Sequence, residues 1–249
     1  MRYRKLLKKR EEGFIPLEGI RLICDSIEAG VEITELFISE GCFNSEYGVK
    51  LKFLIEKFQL PFVEISTDIS ESISDTKTPQ GAFAISKWFP KQIDEALFEN
   101  ERYFIALDGV SDPGNVGTII RTAAAFGING VICGPNCAKI SNPKTIRASM
   151  GSIFRTNCYE SKNLVSDILV FKKNKFKVFV AEADGESINK IDKVLSTFVL
   201  VIGGEAFGPS PDILKIADNI LSIPMCSGVE SLNAGIAAGI LMYELSKKH

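Results

Sequence analysis

Glycine and polar side chains gather at three places in this 249-residue chain, each between an apolar run and an apolar helical pattern. They are LDGVSDPGNVGTIIRTAAAFG (Leu107 to Gly127), VLVIGGEAFGPS (Val199 to Ser210) and IPMCSGVESLNAGIAAGILMY (Ile223 to Tyr243). A helix start leaves backbone N–H groups without partners and carries partial positive charge, so such turns suit anions and capping side chains. In the first stretch, Asp108, Pro113, Gly114 and Gly117 read as a tight turn into a helix over Val116 to Phe126. Asn115 then stands at its electropositive start, where phosphate is favoured. Arg121 lies further along a mostly small and apolar helix. Buried there, it needs an anionic partner, and a salt bridge to Glu205 or Asp108 is the structural alternative to a ligand. In the second stretch, the glycines beside Glu205 let backbone approach a ligand closely, while the carboxylate could instead cap the helix that begins near Ser210. In the third, Ser231 or Asn233 can cap the apolar helix, and backbone around Ile223 and Leu232 faces the same crevice.

Several chemistries are set aside by what is missing. No G-x-G-x-x-G follows the first strand, and the phosphate-loop lysine is absent because Asn115 follows Gly114. The one histidine is His249, the last residue, so a histidine base, nucleophile partner or metal ligand is not expected. Six cysteines are scattered without a C-x-x-C pair; no metal site is expected, and free thiols suit a reducing compartment.

The elements that must position these turns follow from periodicity. The chain opens with a basic helix, a short strand near Phe14, a helix over Glu18 to Ala29 closed by Gly30, and a strand over Ile33 to Ser39. A helix over Tyr47 to Phe58, a strand over Phe62 to Ile65, a helical turn capped by Thr67 and Asp68, and a strand over Gly81 to Lys87 complete a small α/β domain, 1–90. Residues 91–102, with several charges, read as a linker. From Tyr103, apolar strands at Tyr103–Leu107, Gly130–Cys133, Phe176–Ala181, Thr197–Ile202 and Ile220–Ile223 alternate with helices. Continuous apolar strands with helices between them predict a parallel sheet over 103–249, with ligands at the carboxyl ends of its strands.

Hydrophobic residues at 45% and charged residues at 24% are ordinary values for a globular protein. The basic start, MRYRKLLKKREEG, is followed by no long apolar core, and no run is long enough for a membrane span; a cytoplasmic protein is expected. The net charge of −2 carries little weight beside two basic clusters, Arg2, Arg4, Lys5, Lys8, Lys9 and Arg10, then Lys139, Lys144, Arg147 and Arg155.

Taken in order, the three stretches resemble the three motifs of the SpoU or TrmH group of RNA 2'-O-ribose methyltransferases, within the SPOUT superfamily. Motif one is read at Asn115 with Arg121, motif two at Gly203 to Gly208 around Glu205, and motif three at Ile223, Pro224, Met225 and Ser231, Leu232, Asn233. LEG at Leu17 to Gly19 and TPQG at Thr78 to Gly81 look like the family's substrate-binding domain. The resemblance implies an α/β fold whose C-terminal parallel-sheet domain carries a deep trefoil knot, preceded by an L30e-like RNA-binding domain. It implies methyl transfer from S-adenosylmethionine to a ribose 2'-hydroxyl of RNA by a homodimer that needs no metal; the separate N-terminal domain and TPQG favour 23S ribosomal RNA as the substrate, with transfer RNA as the alternative. The implied catalytic residues are Asn115, Arg121, Glu205, Ser231 and Asn233, and the implied cofactor contacts are Gly203, Ile223 and Leu232. Gly235 and Gly239, four apart, could pack the last helix on a partner or within the chain. Ala206 and Phe207 depart from the pattern, since glycine or charged residues often follow the glutamate in the family. A non-catalytic RNA-binding protein retaining the fold would be expected to lose Asn115, Arg121, Glu205 or Asn233, yet all are present.

Overall fold

The computed structural model describes residues 2–8, 11–94, 97–100, 102–191, 197–228 and 230–247, the side chains of 99 and 100 excepted. His249, Lys9 and Arg10 lie outside the described residues. The chain divides into two compact units, one of Met1–Phe89 with Ser141–Arg155 and one of Pro90–Ile140 with Thr156–His249. Sequence periodicity predicts an unbroken domain over 103–249; residues 141–155 instead pack with the first unit.

In the first unit, helix α1 (Arg2–Lys8) precedes β1 (Phe14–Glu18), α2 (Ile20–Glu28), β2 (Glu32–Ser39), α3 (Glu46–Phe58), β3 (Val63–Ile65), α4 (Thr67–Ile73) and β4 (Ala82–Lys87). The sheet order is β1-β4-β2-β3, with β4 antiparallel to both neighbours and β2 parallel to β3. Local chemistry sets the boundaries. Ser45 Oγ accepts the Gly48 N–H at 3.0 Å and Ser66 Oγ the Ile69 N–H at 3.3 Å. Ser66, rather than Thr67 or Asp68, is therefore the cap of α4. Tyr3, Phe37, Phe83 and Ile85 form part of the core between the sheet and α1.

The second unit contains α5 (Leu97–Asn100), β5 (Tyr103–Asp108), α6 (Pro113–Ala125) and β6 (Gly130–Cys133). The chain then gives α7 (Pro143–Ala148) to the first unit, where it packs on β1. It returns with β7 (Asn157–Glu160), α8 (Leu164–Lys173), β8 (Lys177–Ser187), β9 (Phe198–Gly203), α9 (Pro211–Ile216), β10 (Asn219–Ser222) and α10 (Ala234–Ser246). The sheet order is β10-β8-β9-β5-β6-β7, and every pair is parallel. Apolar side chains on both faces of the strands make this sheet the core of the unit. Phe104 meets Phe171 edge-on at 4.8 Å between centroids, and Phe171 meets Phe176 at 5.1 Å. Each such ring, fully buried, contributes about 1.5–3 kcal/mol. Among the described residues no helix is long and apolar enough to cross a membrane.

Candidate active site

Parallel strands end on one edge of the sheet, and the turns that leave β5 and β9 are bound to each other there. The Gly204 N–H donates to the Asp108 carbonyl at 2.9 Å, and the Ser210 N–H donates to Asp108 Oδ2 at 2.7 Å. Asp108 is thus a clamp on the turn after β9. Gly203 has to be glycine for steric reasons: a Cβ there would sit 2.2 Å from both Gly208 C and Pro209 N. Gly208 closes the same turn at φ +64°, a left-handed conformation that favours glycine.

Helix α6 starts at Pro113 because Asp112 caps it, accepting the Asn115 N–H at 2.9 Å, with proline at a position that needs no donor. Helix α10 starts with Asn233 as cap, its Oδ1 accepting the Gly235 and Ile236 N–H groups at 3.0 and 3.3 Å. Ser231 is therefore not the cap. The cap fixes the Asn233 amide so that Nδ2 faces outward, and Nδ2 donates to Asn115 Oδ1 at 3.0 Å. Asn115 Nδ2 in turn donates to Glu205 Oε1. One polar chain, Glu205 to Asn115 to Asn233, thus joins the three glycine-flanked stretches. Glu205 Oε1 is engaged here rather than as a cap of α9, whose N-cap residue is Ser210.

Beside this chain lies a cavity of about 360 Å³. Gly203, Glu205, Ile223, Ser231, Leu232 and Asn233, all named from the sequence, line it. Leu221, Ala237 and Leu241 add apolar wall. Glu230, from the polar turn of the third stretch, lines it too, as does Glu182, which the sequence reading does not single out. The signal for Glu182 was the same habit of polar residues and glycine after an apolar strand, AEADG at Ala181 to Gly185. Glu182 Oε1 accepts the Ala183 N–H at 2.9 Å.

Arg121 is placed differently from expectation. It is exposed, does not line this cavity, and makes no ion pair with Glu205, Asp108 or any other described residue. Helical phase explains this, since Val116, Ile119, Ile120 and Ala123 are the buried stripe of α6 and Arg121 shares the outer face with Thr118. Gly235 and Gly239 serve packing within the chain. A Cβ at Gly235 would lie 3.4 Å from Thr118 Cγ2, and one at Gly239 would lie 3.6 Å from Thr122 Cγ2, so both glycines face α6. Among the described residues, no group of three or more histidine, cysteine, aspartate or glutamate side chains could hold a metal ion.

With this geometry in place, similarity to known proteins decides the family. Residues 102–243 match the family described as SpoU rRNA Methylase, which is more than half the chain. The chain belongs to the SpoU rRNA methylase family. Ahead of the SpoU region, residues 2–84 match the MRM3-like substrate binding domain. The chain is 31% identical to the mitochondrial rRNA methyltransferase 3A of Danio rerio over 94% of its own length and 64% of that protein. It is 30% identical to the 23S rRNA (guanosine(2553)-2'-O)-methyltransferase RlmP of Bacillus subtilis, over 98% of this chain and 94% of that one. Among solved SpoU-like structures, the AdoMet-bound rRNA methyltransferase from Sinorhizobium meliloti superposes with a TM-score of 0.84 at 25% identity, covering 99% of this chain and 93% of that one.

Proposed function

We propose that the protein methylates a ribose 2'-hydroxyl of ribosomal RNA with S-adenosylmethionine as donor. The observation that carries this reading is the hydrogen-bonded chain Glu205–Asn115–Asn233 at the rim of the cavity, because it unites all three motif regions at one point. The cavity suits the cofactor on its own terms. Its volume falls in the range of about 300–1,000 Å³ usual for small-molecule sites. Leu221, Ile223 and Leu232 offer apolar surface to a purine, and the carboxylates of Glu182, Glu205 and Glu230 complement a cationic ligand. A side chain at Gly203 would collide with the Gly208 and Pro209 backbone and so displace the turn that lines the cavity. When bound, S-adenosylmethionine supplies a methyl group already activated by its sulfonium.

The protein's own task is then alignment, water exclusion and charge stabilisation. Asn115, held from both sides, keeps a fixed amide at the start of α6, where an anionic backbone group is favoured. Glu205 and Ser231 orient the rim. A guanidinium offers hydrogen-bond donors and no acceptor, so the role of Arg121 is that of a clamp on the RNA phosphate and a stabiliser of the developing alkoxide. Its exposed guanidinium, free of carboxylate partners among the described residues, suits that task. Arg121→Ala should abolish methyl transfer to total ribosomal RNA while leaving S-adenosylhomocysteine affinity within about twofold, since the contact is made to RNA. Wild-type turnover in that variant would remove the assignment.

The same reading carries the remaining architecture. The first unit is an L30e-like RNA-binding module, supported by its mixed four-stranded sheet and the substrate-binding match. The second has its C-terminal segment threaded as a trefoil knot, supported by α10 packing on α6 and β9; pulling the chain by its ends would leave a shortened contour length. Buried free thiols suit a cytoplasmic setting. Homodimerisation runs through α10, which is apolar from Ala234 to Met242 yet leaves Ile236 56% and Tyr243 48% exposed. Ile236→Glu should yield a monomer in analytical ultracentrifugation, and an unchanged sedimentation coefficient would reject this face.

A further inference from the structure

The two short motifs of the first unit, Leu17 to Gly19 and Thr78 to Gly81, meet in the fold. Gln80 Oε1 accepts the Ile20 N–H at 3.0 Å, at the start of α2. Around this bond lies a second cavity, of about 620 Å³, lined within the same unit by Arg21, Tyr47, Thr78, Gln80, Arg147 and Met150 among others.

Its carboxylates are already engaged. Glu18 accepts from Ser74 Oγ at 2.5 Å, Thr76 Oγ1 at 2.8 Å and the Asp75 N–H at 3.0 Å. Asp25 pairs with Arg155 at 2.7 Å, and Arg147 with Asp75 at 2.6 Å. Arg21 differs from these. It has no carboxylate partner among the described residues, and its guanidinium lies 5.5 Å from the centre of the Tyr47 ring. Tyr47 itself is 41% exposed. A guanidinium over an aromatic ring at the edge of a cavity is a stacking platform for a flat π system. Because Gln80 Oε1 is committed to the backbone, its Nε2 remains as a donor beside that platform, with the exposed Thr78 hydroxyl.

We infer that this cavity takes one unpaired nucleobase of the substrate RNA, stacked on Tyr47 and Arg21, with Gln80 Nε2 donating to an acceptor on the base edge. Unpaired bases are the usual targets of sequence-specific RNA reading, through stacking and edge hydrogen bonds. The inference rests on the proposed activity only for the identity of the ligand.

The experiment uses the full chain with a 23S ribosomal RNA transcript in filter binding at fixed salt, and S-adenosylhomocysteine titration as the control. The double variant Arg21→Ala, Tyr47→Ala should bind the transcript about tenfold or more weakly, with S-adenosylhomocysteine affinity unchanged. Tyr47→Phe, which keeps the ring, should bind as wild type. Gln80→Glu keeps an acceptor for the Ile20 N–H and removes the free donor; it should weaken RNA binding without lowering the melting temperature, and it decides the matter if the double variant misfolds. Wild-type transcript affinity in the double variant and in Gln80→Glu would overturn the inference, as would failure of the wild-type chain to bind the transcript. Failure of S-adenosylhomocysteine binding alone, with RNA affinity still dependent on Arg21 and Tyr47, would sink the methyltransferase reading and leave this site standing.

Discussion

Asn233 Nδ2 lies 3.0 Å from Asn115 Oδ1, joining the first residue before α10 to the first turn of α6 across 118 positions of sequence. Both ends of this bond are orientation-locked, because Asn233 spends its Oδ1 on helix N–H groups and Asn115 spends its Nδ2 on Glu205. The two functions of Asn233 can therefore be separated. Asn233→Asp keeps the cap but turns the donor into a second acceptor facing Asn115 Oδ1. Its stability should stay within about 0.5 kcal/mol of wild type while methyl transfer falls by ~10²-fold. Asn233→Ala loses both, and should cost about 1 kcal/mol. Denaturant titration beside a methyl-transfer assay reads the split; equal stability losses in both variants would contradict it.

Gly203 and Gly239 should respond in opposite directions to the same substitution. A methyl at Gly203 meets Gly208 and Pro209 backbone at 2.2 Å, whereas one at Gly239 meets the Thr122 methyl at 3.6 Å, an ordinary contact. Gly203→Ala should destabilise by about 1–3 kcal/mol and abolish cofactor binding. Gly239→Ala, in the middle of a helix, should stabilise by up to about 1 kcal/mol. Calorimetric melting with and without S-adenosylhomocysteine compares them directly.

Asp218 ties α8 to the sheet through the Lys172 ammonium at 2.8 Å and the Val178 N–H at 2.8 Å. Burial alone would raise its pKa, but these hydrogen bonds and the charges of Lys172 and Lys177 outweigh it and hold the carboxyl below its ordinary 3.8. A depressed carboxyl stabilises the fold above the unfolded pKa and loses that contribution as pH falls through the folded one. Asp218→Asn should cost about 1 kcal/mol at neutral pH, with the gap to wild type closing below pH ~4. A gap that widened on acidification would refute the linkage.

Thiol reactivity should divide sharply. Burial pushes Cys24 and Cys42 up to about 11 and Cys158 up to about 12, and raises Cys133 as well, while Cys226 is exposed. Iodoacetamide at pH 8 should therefore label Cys226 rapidly in the native chain, and those four only after unfolding. Peptide mapping by mass spectrometry would show either this order or its failure.

Much of the fold is legible in the sequence. Strands β5, β6 and β9 are apolar runs bounded by turn residues, and their parallel arrangement follows from the helices between them. Strand β7 was not legible, because Asn157–Glu160 is four residues long with polar ends. The cavity residues were readable because glycine and capping side chains mark strand-to-helix turns. Arg121 misled for a physical reason: a helix rich in alanine and isoleucine looks buried all round until its phase is fixed by its partners. Segment 141–155 misled in another way, since Ile146 and Ile153 announce burial but not which core they enter.

Helix α7 has a practical corollary. Its Thr145 and Ile146 are wholly enclosed, and it rests on β1, although the whole of Pro90–Ile140, which belongs to the other unit, intervenes along the chain. Severing the polypeptide near residue 90 would therefore not release a finished module; the fragment would bare the strip of β1 that α7 shields, and a soluble stand-alone version needs 141–155 spliced back on.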